Sequence, residues 1–80
     1  MLYNVKDKNG NVLSRIFAPG NKVLQIEARE VDSSDEVVVQ EDGTEVTVTH
    51  REYILVDKHT DSIVSQLSTV VEIGLVEHAK

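Results

Sequence analysis

Fourteen carboxylates and three histidines, His50, His59 and His78, are the side chains of this 80-residue chain best equipped for chemistry. Asp57, His59 and Asp61 fall within five consecutive positions and offer the oxygen and imidazole donors that suit a divalent cation. A metal-dependent site there is the third-ranked reading of the chain. His50 and Glu52 share one face if the strand that carries them is continuous. Neither group has the spacing of a zinc motif such as His-Glu-x-x-His, and a closed structural site takes about four converging ligands. The sequence therefore nominates no metal and no cofactor. His50 reads as a solvent-facing or bulge position and His59 as part of a capping loop.

Other catalytic patterns are missing. Asp32-Ser33-Ser34-Asp35-Glu36 gathers oxygens without the alternating ligands and central glycine of a calcium loop. No Gly-x-Gly-x-x-Gly or Gly-Lys-Ser/Thr run cradles a phosphate. Serines, histidines and aspartates are present, but nothing places them as a triad. With no cysteine there is neither thiol catalysis nor a disulfide framework. No catalytic residue is assigned, and the chain reads as non-enzymatic.

Charge distribution is more informative than charge total. The formal net charge is −6, which argues against a general phosphate-backbone binder. The only aromatics, Tyr3, Phe17 and Tyr53, are too few to stack bases along a strand. Residues 1–26 carry Lys6, Lys8, Arg15 and Lys22 against Asp7 alone, a net +3. Residues 27–45 hold eight acids against Arg29, a net −7, and the remainder sums to −2. An acidic segment of this kind reads either as a solvated face that blocks edge pairing or as a surface steered onto a basic partner.

The functional reading is a small acidic protein-binding accessory factor, an inhibitor or modulator of the sort encoded by phages and mobile elements. Glu27, Glu30, Asp35, Glu36, Glu41, Asp42 and Glu45 supply its docking charge, and the partner is the basic surface of a protein. The alternative is a structural or assembly subunit that self-associates through sheet edges, the +3 part of one copy meeting the −7 part of the next. Neither reading involves direct nucleic-acid or membrane contact, since no apolar run approaches the roughly 18 residues of a spanning helix. The N-terminus lacks a basic region followed by an apolar one, so it is not a signal peptide. Cytoplasmic location and a short, complete gene product are the expectations.

The elements that must position these residues are mostly strands in a single domain, residues 1–80. Val, Ile and Thr make up 24 residues, a β-leaning composition. Asn9-Gly10 predicts a tight hairpin over residues 2–17, with Asp7 opposite Val12, Val5 opposite Ser14 and Tyr3 opposite Ile16. Tyr3, Val5, Val12 and Ile16 then share a face. Residues 22–31 alternate, with Leu24, Ile26 and Ala28 on one side, and predict a half-buried strand. Asp32-Ser33-Ser34-Asp35 reads as a loop. Asp42-Gly43 predicts a second two-residue turn, pairing Val39 with Val46 and Val37 with Val48 on one face. A bulge or break is expected near Arg51, because an unbroken strand sets His50 and Glu52 on the apolar side.

Ile63, Val64, Leu67, Val70 and Val71 then fall on one helical face, after Thr60 or Asp61 as N-cap and before Gly74 as C-cap. Leu75-Val76 reads as a short last strand. The expected fold is thus α+β and β-rich: a small antiparallel sheet or partly open barrel of five to six strands, two hairpins and one C-terminal helix over residues 61–73.

Overall fold

The computed structural model describes residues 1–79. Six strands follow in chain order: β1 (Leu2–Asp7), β2 (Val12–Phe17), β3 (Ile26–Val39), β4 (Glu45–Asp57), β5 (Ile63–Thr69) and β6 (Ile73–His78). They form two three-stranded antiparallel sheets, ordered β2-β1-β6 and β3-β4-β5. Among the described residues there is no helix, and so none long and apolar enough to cross a membrane. The α+β expectation is therefore corrected to an all-β fold.

The core lies where the sheets face each other. Tyr3 and Val5 on β1 meet Ile26 on β3 and Leu55 on β4, with Ala18 beside them. Ile16, Leu24, Ala28, Val64, Leu67, Ile73 and Val76 are half-buried around this cluster. Both buried tyrosines also tie down the chain where it leaves or arrives at a crossing between the sheets. The Leu24 amide donates to the Tyr3 hydroxyl at 2.8 Å, and the Ile73 amide donates to the Tyr53 hydroxyl at 3.4 Å. A phenol whose ring is buried must find a polar partner, and here each partner lies at such a crossing. β3 and β6 approach without hydrogen-bonding and leave an open groove between them, lined by Ile26, Ala28, Lys58, Ile73, Gly74 and Val76.

The expected helix is strand β5. Val64 is an extra residue in a bulge, since Leu55 pairs with Ser65 while Val56 pairs with Ile63. That bulge turns both Val64 and Leu67 toward the core, so a spacing of three, which read as helical, arises in a strand. A helix this short is marginal in water, and Ser65, Ser68, Thr69, Val70 and Val71 add little propensity for it. Pairing along the edge of β4 satisfies the same backbone groups. Gly74 is not a helix cap either. It sits in β6 against the bulge between Lys6 and Asp7, where an added Cβ would lie 2.6 Å from the Asp7 carbonyl oxygen.

Both hairpin turns differ from expectation by one residue. The Asp7 amide donates to the Asn11 carbonyl at 2.9 Å and the Gln40 amide to the Thr44 carbonyl at 2.8 Å. Each loop therefore has three residues, with Gly10 (φ 87°) or Gly43 (φ 85°) in the left-handed region, the three-residue pattern that ends in a G1 bulge. In the first hairpin a bulge at Leu13 restores the expected pairing, so Val5 opposes Ser14 and Tyr3 opposes Ile16, whereas Val12 moves opposite Lys6 and is exposed. In the second nothing restores it. Val38 pairs with Val46, Val37 with Thr47 and Glu36 with Val48. The four valines expected on one face, Val37, Val39, Val46 and Val48, are divided between two, since a slip of one residue inverts every side chain.

β4 runs unbroken through His50 and Arg51. The irregularity lies on its partner, where Val31 is the extra residue between Glu30 opposite Tyr53 and Asp32 opposite Glu52. The 32–35 segment read as a loop is the middle of β3. Its side chains are polar because both faces meet solvent, and its strand geometry is imposed by the ladder to residues 49–52.

Candidate functional site: an acidic β-arm

β5 covers β4 only as far as Arg51, which pairs with Thr69. Beyond that point β3 and β4 continue as a two-stranded arm, residues 32–50, and the molecule extends 52 Å along its longest axis against 24 and 17 Å across. Every arm residue is exposed except Val48 and Thr49, which are half-buried.

The arm carries Asp32, Asp35, Glu36, Glu41, Asp42 and Glu45 and not one Lys or Arg. Those six charges equal the formal net charge of the whole chain; the remaining residues hold eight acids and eight bases. The body is therefore neutral and the arm holds the entire imbalance.

Cross-strand pairing places these groups. One face carries Asp32 opposite Glu52, Ser34 opposite His50, Glu36 opposite Val48 and Val38 opposite Val46. The other carries Asp35 opposite Thr49, Val37 opposite Thr47 and Val39 opposite Glu45. Each face thus shows valines near the tip, with carboxylates toward the base and at the end. Val39 and Val37 are 64% and 59% exposed, an unusual position for β-branched apolar side chains.

Local bonds make the arm regular without neutralising it. Thr49 Oγ1 donates to Asp35 at 2.8 Å, and His50 Nε2 lies 2.7 Å from Glu36 Oε2. At the tip, Asp42 Oδ1 accepts from the Thr44 amide at 2.9 Å. Bonding to Thr44 holds the Asp42 carboxyl below its ordinary value, so the tip stays anionic.

Arg51 anchors the base. Its Nη1 donates to the Val70 carbonyl at 2.9 Å, its Nε is 3.2 Å from Glu30, and its Nη2 is 3.6 Å from Glu72. Glu72 also binds Lys8 at 2.6 Å, so the arm, the β5–β6 turn and the β1–β2 turn share one network. The Lys8 hydrogen bond and charge, followed by Arg51, hold the Glu72 carboxyl below its ordinary value.

The residues proposed from sequence divide accordingly. Asp35, Glu36, Glu41, Asp42 and Glu45 come together on the arm. Glu27 and Glu30 belong to the body, where Arg29 and Arg51 pair with them. Asp32 joins the arm set, and the acid count of the segment was the signal for it. The valines and the Arg51 anchor were hidden by the register and by the loop reading of residues 32–35.

Asp57, His59 and Asp61 do not converge. Asp57 is buried and staples the β4–β5 turn, accepting from the His59 amide at 3.0 Å and the Thr60 hydroxyl at 3.2 Å. Asp61, at φ 57°, instead binds Arg29 at 2.9 Å. Among the described residues no group of three metal-ligating side chains is assembled. His78 packs its ring against Tyr3, with 5.6 Å between centroids.

No protein-family model, curated protein or solved structure matches this chain.

Proposed function

We propose that the protein is a non-enzymatic binding module whose arm docks against a basic protein surface. The observation that carries this reading is the segregation of charge: residues 32–50 hold the whole formal net charge of −6 on a projecting hairpin that also exposes valines on both faces. A hairpin needing only solubility has no use for Val37, Val38, Val39 and Val46 at its exposed end. A hairpin built to dock needs both parts, carboxylates to steer the approach and apolar contact for the affinity that remains once solvent is excluded. The free backbone groups along both edges of the arm add a third element, because a partner strand can extend the ladder.

Pairing between two arms is opposed by the same feature, since it would bring twelve carboxylates together. The partner surface is accordingly cationic. The experiment is parallel affinity capture from lysate of the source cell, with the wild-type chain and with the Glu41→Lys, Asp42→Lys, Glu45→Lys triple variant as baits. Basic proteins retained by the wild type at low salt and lost from the variant support the reading. Identical captured sets for the two baits would overturn it. All three positions are exposed, and circular dichroism of the variant checks its fold, since Asp42 also accepts from the Thr44 amide.

A further inference from the structure

We propose that the arm's occupant site lies on a second copy of this chain: the outer edge of β3 in the arm adds to the free edge of β2, generating a head-to-tail series. This deepens the reading above and rests on the arm being the docking element.

β2 is the terminal strand of its sheet, so its outward backbone groups have no strand partner. It exposes Phe17 to 70% and Val12 to 47%, and Leu2, directly opposite Phe17, is also exposed. Such a face is not closed by anything in the protomer. It carries Arg15, which pairs across β1 with Asn4 and has no carboxylate within ion-pair distance among the described residues. The other free edge of the body, β5, bears no charge in its sequence Ile-Val-Ser-Gln-Leu-Ser-Thr, and β6 is flanked by β3. Among the described residues, β2 combines an open edge, exposed apolar side chains and an unpaired cation.

The arm supplies the complement. Along β3, residues 32–39 form an edge longer than the six residues of β2, and they place Asp35 and Glu36 beside Val37, Val38 and Val39. Strand addition sets one face of the arm, Asp35 with Val37 and Val39 or Glu36 with Val38, on the side that carries Arg15, Val12 and Phe17. Main-chain bonds supply affinity, and the alternating side chains supply register. Two unlike surfaces meet, so a single contact leaves one arm and one β2 edge free for the next copy, the geometry of a head-to-tail series.

The test is complementation between two variants of the full chain. Asp35→Lys, Glu36→Lys disables the arm and leaves β2 intact; Arg15→Glu, Phe17→Lys disables β2 and leaves the arm intact. All four positions are exposed, and circular dichroism on each variant checks the fold. Analytical ultracentrifugation of the wild type is expected to show a concentration-dependent series up to about 1 mM, the weak end of specific association. Each variant alone should be monomeric, and an equimolar mixture of the two should form a one-to-one dimer that added salt dissociates. A wild type that stays monomeric, a closed dimer surviving both variants, or a mixture that fails to associate would each overturn the proposal. Arm-dependent capture of basic proteins by a chain that remains monomeric would assign the arm to a foreign partner and leave the docking reading standing. Capture that ignores the arm would remove that reading itself.

Discussion

At the scale of single residues, the body spends its carboxylates on holding itself together. Asp7 accepts from the Asn11 and Asn9 amides, each at 2.9 Å, and the first of these bonds leads in lowering its carboxyl below the ordinary 3.8. Glu72 is lowered from 4.5 by Lys8. Lowered carboxyls stabilise the fold above their ordinary values, and the contribution disappears as pH falls through the folded-state value. Glu72→Gln is therefore expected to melt below the wild type at pH 7, and the gap should close below about pH 4. Thermal denaturation of both proteins across that range checks it. The role of Glu72 was not legible in the sequence, because Lys8, Arg51 and Glu72 are distant in the chain and meet only when two turns converge on strand β4. The roles of Tyr3 and Val5 were legible, since period-two spacing beside Asn9-Gly10 identifies an inward face without tertiary information.

At the scale of elements, the two hairpins carry similar signals and show how far turn chemistry reaches. Asn9-Gly10 and Asp42-Gly43 do mark reversals, and glycine does take the left-handed position in each. Neither dipeptide reveals whether the loop has two residues or three. In the first hairpin the Leu13 bulge cancels the difference, and the predicted Tyr3 opposite Ile16 is observed. In the second, the bulge at Val31 lies on the first strand and carries the register a further residue away. Polar residues 32–35 were indistinguishable from a loop because strand periodicity is visible only where one face is buried.

The same geometry predicts an amide-exchange pattern. β4 is hydrogen-bonded on both sides over residues 51–56, so successive amides there should be protected. Over residues 45–50 only the amides facing β3 are bonded, and alternate positions should exchange rapidly. Uniform protection through residues 45–56 in a dilute sample would contradict the two-stranded arm.

At the scale of the whole molecule, a neutral body joined to an arm of charge −6 has its centre of charge displaced from its centre of mass along the 52 Å axis. An approaching cationic surface meets the arm first, and the interaction weakens within a Debye length of about 8 Å at physiological salt. Composition announced the acidity, and the count along the chain announced its concentration near the second hairpin. That it stands clear of the body depends on where β5 ends, which no local pattern in residues 63–69 encodes.

The lysine-free and arginine-free arm also governs how the protein is cut. Between Arg29 and Arg51 trypsin has no target, so the most exposed element of the fold is closed to it, while a glutamate-specific protease finds Glu36, Glu41 and Glu45. Brief digestion with the latter should nick the arm first, as exposed sites with few packing contacts are cleaved earliest. Trypsin should leave residues 30–51 as one fragment even after full digestion. Mass spectrometry of the two digests would reveal whether a bound partner shields those three glutamates, giving the arm an occupancy assay of its own.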